Sequence, residues 1–226
     1  MTAITSFKSY TVDQISTLST DQIKEATSAA IKTLTAAQIQ ALSPDQIAAI
    51  GQTDSGYDES VVTAFSGSQL AAFTPYQMQF GLATGQIHVL STAQLAALTT
   101  SQLAVMGYEQ IDAIATDHIG ALTAGQLKVL SADQIKALED DAGQQLTSTQ
   151  IQALSGAQLD ALTEFSTDQV KALSVKQIQS LTEEQLRNLD EDQIAALSTT
   201  QVQALGAAQL GAIDVLGDQI ANLSTK

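Results

Sequence analysis

The chain has 226 residues, 44% of them apolar and 4% aromatic, with no cysteine or tryptophan and 9 basic against 24 acidic side chains, a formal net charge of -15. That apolar content suffices for a folded core, which aliphatic rather than aromatic side chains must build. The missing cysteines exclude disulfides and thiolate metal sites, and the acidic balance argues against nucleic acid phosphates and anionic membrane surfaces as partners.

From the N-terminus onward the sequence repeats itself. Phe7 and Tyr10 fill the two apolar positions of a degenerate first copy of an eight-residue unit, Ser/Thr-x-x-Gln-Ile/Leu/Val-x-Ala-Leu. The frame continues through Gln14, Gln22, Gln38, Gln46, Gln69, Gln77, Gln94, Gln102 and Gln110, has His118 in place of Gln, resumes at Gln126 and Gln134, has Ala142, and resumes at Gln150 and Gln158. From Ser174 it is strict, with Gln177, Gln185, Gln193, Gln201 and Gln209 eight residues apart. The frame slips near residues 51–58, 81–85, 164–166 and 214–217, where Gly, Asp and Ser point to loops inserted between copies.

Each unit reads as one short helix. A continuous helix is rejected because eight residues overshoot two turns by about 80°, so the apolar stripe would spiral around the whole surface. A strand is disfavoured because the two apolar positions, an odd number of residues apart, would point to opposite faces. A helix restarted in every unit fits each position. Ser or Thr followed three residues later by Gln is the capping-box pair, and the preceding Leu with the aliphatic after Gln forms the hydrophobic staple. Asp13, Asp21, Asp45, Asp133, Asp168, Glu184 and Asp192 fall in first turns, where the helix dipole favours negative charge. Ala83, Ala115 and Glu139 depart from the cap preference.

One unit of two aliphatic side chains and an alanine cannot offset the entropy of ordering eight residues, so copies must stack. The expected fold is all-α: residues 1–226 as a single solenoid, or superhelix, of very short helices, two or three per turn. The recurrent Ala153, Ala161, Ala172, Ala196 and Ala204 are expected to let neighbouring coils approach. The alternative is a β-solenoid.

Chemistry finds few candidates. Asp54, Asp58 and Glu59, and again Glu139, Asp140 and Asp141, are clustered carboxylates without the alternating spacing of a calcium loop. His88 and His118 are far apart in sequence, and no nucleophile motif, phosphate loop or zinc spacing occurs. No enzyme, metal or cofactor is expected. No apolar run approaches the roughly 18 residues that span a bilayer, and residues 1–10 lack the pattern of a secretory signal, so no membrane insertion is expected. Aromatics concentrate at Tyr57, Phe65, Phe73, Tyr76 and Phe80. Phe65 and Phe73 sit on the Leu position and read as core, whereas Tyr57 and Tyr76 fall off the apolar positions and are the candidates for contact with a protein or glycan partner.

The runs LSTDQI, LTTSQL, LSADQIKAL and LSTTQVQAL resemble the Gln-, Ala- and Thr-rich short repeats of large bacterial proteins, chiefly alphaproteobacterial, of the surface, adhesion and haem-utilisation kind. The resemblance covers almost the whole chain and implies a non-catalytic structural or adhesive module, extracellular or at the cell surface. The other expectations are a self-assembling fibre or layer subunit associating end to end, and an intracellular protein-binding scaffold in the cytoplasm.

Overall fold

The computed structural model describes residues 3–114, 116–138 and 146–214. The fold is predominantly helical, with twenty-two short α-helices among the described residues, one 3₁₀ helix and a two-stranded sheet. The copy at Ala142 and the cap positions Ala115 and Glu139 lie outside the described residues, as do residues 215–217 of the last break.

The unit folds as its local signals dictate. In the copy at Gln46, Ser43 has an extended backbone and its Oγ accepts from the Gln46 amide at 3.2 Å, while the Ser43 amide donates to Gln46 Oε1 at 2.7 Å. Both halves of the capping box are therefore made, and Pro44 occupies the first helical turn, where its missing N–H costs nothing. Leu42 and Ile47, the two ends of the staple, are both buried. The helix stops after six residues because Ile50 returns to the extended region, its N–H closing on Ile47 in a tight last turn. At Ala83 and Gly107 only half the box survives, the Gln86 and Gln110 Oε1 atoms accepting from the cap amides. Where His118 replaces Gln and residue 115 is Ala, both cap signals are gone, and the turn tightens into the 3₁₀ helix Thr116–Ala121.

Contacts group the chain into two compact units, Met1–Leu122 and Thr123–Lys226. In the first, the helix Val12–Ser16 packs on Ala36–Ala41, Thr20–Lys24 on Pro44–Ala49, Gly67–Leu70 on Thr92–Ala97, and Pro75–Gly81 on Thr100–Leu103. Partners in this unit thus lie three helices apart. Beneath them the extended N-terminal segment pairs with residues 25–27, the Ile4 amide donating to Glu25 and the Ile4 carbonyl accepting from Thr27, both at 2.9 Å. In the second unit Val175–Ser180 packs on Thr199–Ala204, and Glu183–Arg187 on Ala207–Asp214.

The interior differs from expectation in one position of the unit. The aliphatic after Gln and the Leu are buried in nearly every described copy, Leu18, Val202 and Leu210 excepted, whereas Ala153, Ala161, Ala172, Ala196 and Ala204 are only half-buried. The third interior side chain is the glutamine: every buried polar side chain among the described residues is a Gln of the repeat, from Gln38 at 5% exposure to Gln201 at 4%.

Candidate functional site

A buried primary amide needs one or two donors for its oxygen and two acceptors for its nitrogen. The repeat supplies all of them. Oε1 is taken by the helix's own cap amide; Nε2 donates to two carbonyls of an earlier copy, those of the aliphatic after Gln and of the Leu. Gln46 Nε2 thus reaches Ile15 at 2.9 Å and Leu18 at 2.7 Å, and Gln102 Nε2 reaches Leu70 and Phe73, both at 2.8 Å. Gln158 repeats this on Leu127 and Leu130, and Gln209 on Ile178 and Leu181. The carbonyl of the aliphatic already accepts from the amide of the Leu three residues on and takes Nε2 as a second donor, while the Leu carbonyl lies just past the helix end. One side chain therefore satisfies the start of its own helix and the end of an earlier one. The bonds reach one helix farther along the chain than the packing contacts do, Gln46 bonding to Val12–Ser16 while its own helix packs on Thr20–Lys24.

The period breaks have three different structures. Residues 52–57 form a hairpin, Gln52 pairing with Tyr57 and Thr53 with Gly56 around Asp54 and Ser55. Gly51 enters it at φ +70°, a conformation that side chains with a Cβ rarely adopt, and closes the base by accepting from the Asp58 amide at 2.7 Å. The break at 81–85 is no loop. Its extra residue is absorbed by the seven-residue helix Pro75–Gly81, where the Leu82 amide bonds back to Gln77 in a widened last turn. The break at 164–166 is an extended link in which the buried Phe165 takes the place of a repeat Leu, its carbonyl accepting from Gln193 Nε2.

The two tyrosines named as partner contacts part company. Tyr57 is half-buried, its ring lying against the helix Thr84–His88 so closely that a Cβ on Gly85 would stand 2.6 Å from the Tyr57 ring. Burial raises the Tyr57 phenol above its usual range. Tyr76 is 63% exposed on Pro75–Gly81 and lies beside Phe80, itself 58% exposed, with ring centroids 4.8 Å apart and planes tilted by 49°. Phe80 completes a pair that residue-by-residue reading missed. The signal was a spacing of four about a helix whose buried residues are Gln77, Met78 and Gly81. Phe65 and Phe73 are buried edge to face, as their Leu positions imply.

The remaining candidates do not gather. Asp58 caps the helix Glu59–Val62, its Oδ1 accepting from the Ser60 amide at 2.9 Å and hydroxyl at 2.7 Å, and Asp54 sits in the hairpin turn. Among the described residues no three of His, Cys, Asp and Glu cluster as metal ligands; Glu139, Asp140 and Asp141 lie outside them. A cleft of about 330 Å³ opens at the hairpin base, lined among others by Lys24, Glu25, Ser28 and Asp58. Among the described residues no helix is long and apolar enough to cross a membrane. No protein-family model matches the chain, and no curated protein is similar to it.

Proposed function

We propose that this chain is a non-catalytic structural and adhesive repeat module of a bacterial secreted or cell-surface protein, its helices wound as a superhelix of two or three per turn. The observation that carries this reading is the glutamine ladder. It commits the repeat's polar side chains to holding coil on coil: Gln inside, Ser and Thr at the caps, acids in the first turns. What remains outward is a net-acidic polar surface of carboxylates, amides, hydroxyls and alanines, repeated with little variation over the chain, as a spacer or adhesive module requires and as the resemblance to bacterial surface repeats implies. No cofactor or nucleic acid enters this reading.

The test is where the protein resides. Fractionation of cells making the tagged full-length protein, with protease treatment of intact cells, is expected to place it in the medium or in the protease-sensitive surface fraction. Recovery only from the cytosol, protected from protease, rejects the proposal in favour of an intracellular scaffold.

A second reading, end-to-end self-association, is favoured by Gln14 and Gln22. Both are exposed, both complete a capping box, and neither side-chain amide nitrogen has an acceptor among the described residues. Light scattering would show mass rising with concentration in the native chain and constant in a Gln14→Leu/Gln22→Leu variant. A constant mass in both removes this reading.

A further inference from the structure

The helix Pro75–Gly81 turns one face to solvent, formed by Pro75, Tyr76, Gln79 and Phe80. Of the chain's five phenylalanines, Phe7, Phe65, Phe73 and Phe165 are between 2% and 6% exposed, while Phe80 is 58% exposed against Tyr76. As an i,i+4 pair the two rings stabilise their helix by only about 0.2–0.5 kcal/mol, little return for leaving two large aromatic faces in water. The surroundings are as distinctive as the pair. Residues 60–108 contain no Asp, Glu, Lys or Arg, although charged residues are 15% of the chain. The two helices packed against Pro75–Gly81 are Pro44–Ala49 and Thr100–Leu103, and they bring one charged residue between them, the exposed Asp45.

We propose that the Tyr76–Phe80 pair is a stacking platform for a pyranose ring of a neutral polysaccharide. Aromatic faces carry negative charge and ring edges positive, so the C–H groups of a sugar face lie favourably on an exposed ring. Gln79, on the same exposed face, offers both a donor and an acceptor to sugar hydroxyls. The stretch 60–108 supplies no Lys or Arg to pair with an anionic ligand, and the acidic balance of the whole chain repels one. Size decides against a protein partner: two rings of roughly 200 Å², each a little over half exposed, present about 250 Å², against about 800 Å² per partner in a stable protein interface. That area matches one or two sugar rings, and a single platform of this kind gives a Kd on the order of 1 mM.

This inference rests on the adhesive reading and supplies its ligand class; because its test uses purified protein, its failure leaves the outcome of the localisation experiment untouched. The full-length chain is run in native gels containing dextran, galactomannan, xylan, mixed-linkage β-glucan or, as the anionic contrast, alginate. Retardation by at least one neutral polymer and none by alginate is expected. Tyr76→Ala/Phe80→Ala is expected to weaken the retardation at least tenfold, and Tyr76→Phe to keep it. Both side chains are exposed, so the double variant should retain the native circular dichroism and urea midpoint. Three results overturn the proposal: no retardation by any of the four neutral polymers, equal retardation of the native and double-variant proteins, or stronger retardation by alginate. So does an oligomer in light scattering that the double variant abolishes, which would make the pair a contact between copies.

Discussion

Two interruptions of the repeat, residues 51–57 in the first unit and 163–165 in the second, disturb the sequence in opposite directions and leave the ladder intact. In the undisturbed copies a glutamine bonds 31 and 28 residues back, as Gln46 does. Across the hairpin Gln69 and Gln77 reach 38 and 35 residues back, the chain having spent seven extra residues outside the ladder. Across the link Gln177 and Gln185 reach only 26 and 23 residues back, because three residues ending in Phe165 stand where eight would otherwise run. The separation along the chain changes by twelve residues, yet these glutamines keep the same two carbonyl positions as partners. What the fold conserves is which position lies beneath which, and the number of residues between them is free to vary. Phe165 shows the minimum that can stand in for a repeat: one large apolar side chain for the core and one carbonyl for a later glutamine.

If the ladder is what survives both interruptions, breaking one rung must cost more than disturbing either interruption. Gln102→Glu is the sharpest way to do it. The carboxylate would keep its acceptor role toward the Thr99 amide but would point its second oxygen at the carbonyls of Leu70 and Phe73, with no hydrogen to offer and no water to help. A loss of about 4 kcal/mol at pH 7 is expected. Protonation supplies one donor, so the folded-state pKa of this carboxyl is raised above the unfolded value of about 4.3. The part of the penalty that comes from ionisation is then absent below pH 4.3 and complete above the raised folded pKa, while the loss of the second donor persists at every pH. Urea unfolding of native and variant chains between pH 7 and pH 4 would show the difference shrinking with acid. Gln22→Glu, at an exposed rung with no acceptors for its nitrogen, should stay within about 0.5 kcal/mol and show no such pH dependence. Equal losses at both positions would mean that the glutamine acts only as a cap.

The link tests the same idea from the side of the core. Phe165→Ala leaves the carbonyl under Gln193 in place and removes the side chain that stands for a whole helix. A buried phenylalanine truncated this far costs about 3–4 kcal/mol. Phe165→Leu, which restores the ordinary residue of the position, should recover more than half of that in the same urea titration. Failure of Leu to recover it would show that the link relies on aromatic packing and is no substitute for a repeat.

How much of this the sequence discloses depends on the range of each interaction. The caps and the staple are local, and Ser43 with Gln46 or Leu42 with Ile47 can be read directly because both partners lie within five residues. The ladder is not local. Its acceptors are backbone carbonyls about thirty residues away, and a carbonyl has no side-chain identity to betray it. One trace existed in the residue type. A capping box accepts Glu as readily as Gln, yet this acidic chain uses Gln at that position almost without exception, which only a need for the two extra donors explains. The alanine position does face a neighbouring helix closely, a Cβ on Gly67 standing 2.7 Å from Ala97, but the third interior side chain is the glutamine, which smallness alone does not suggest. The interruptions were visible as loss of period, while their opposite senses were not, since Thr163, Glu164 and Phe165 look like an insertion until the helix they replace is missed. As for the candidate site, Tyr76 stood out by position alone, and Phe80 emerged as its partner only once the helix Pro75–Gly81 fixed which face was buried.

The hairpin, finally, offers the gentlest test, because it asks whether an insertion outside the ladder is bound to the fold or only hangs from it. Tyr57 lies on Gly85, and a methyl group there would meet the ring at 2.6 and 2.8 Å, so Gly85→Ala in the native chain must displace the hairpin or the helix start, at a cost of about 1–2 kcal/mol. In a Tyr57→Ala background the same change meets open space and should stabilise the helix Thr84–His88 by up to about 1 kcal/mol, the ordinary helical advantage of Ala over Gly. A change of sign between the two backgrounds, read as a double-mutant cycle from urea midpoints, establishes that the ring holds the hairpin down. Titration gives an independent reading. Because burial raises the Tyr57 phenol, its contribution is complete below pH 10, the unfolded value, and is lost as the pH rises through the higher folded value. The alkaline arm of the stability profile should therefore flatten in Tyr57→Phe. Additive effects in the cycle and an unchanged alkaline arm would mean that the seven extra residues are merely tolerated.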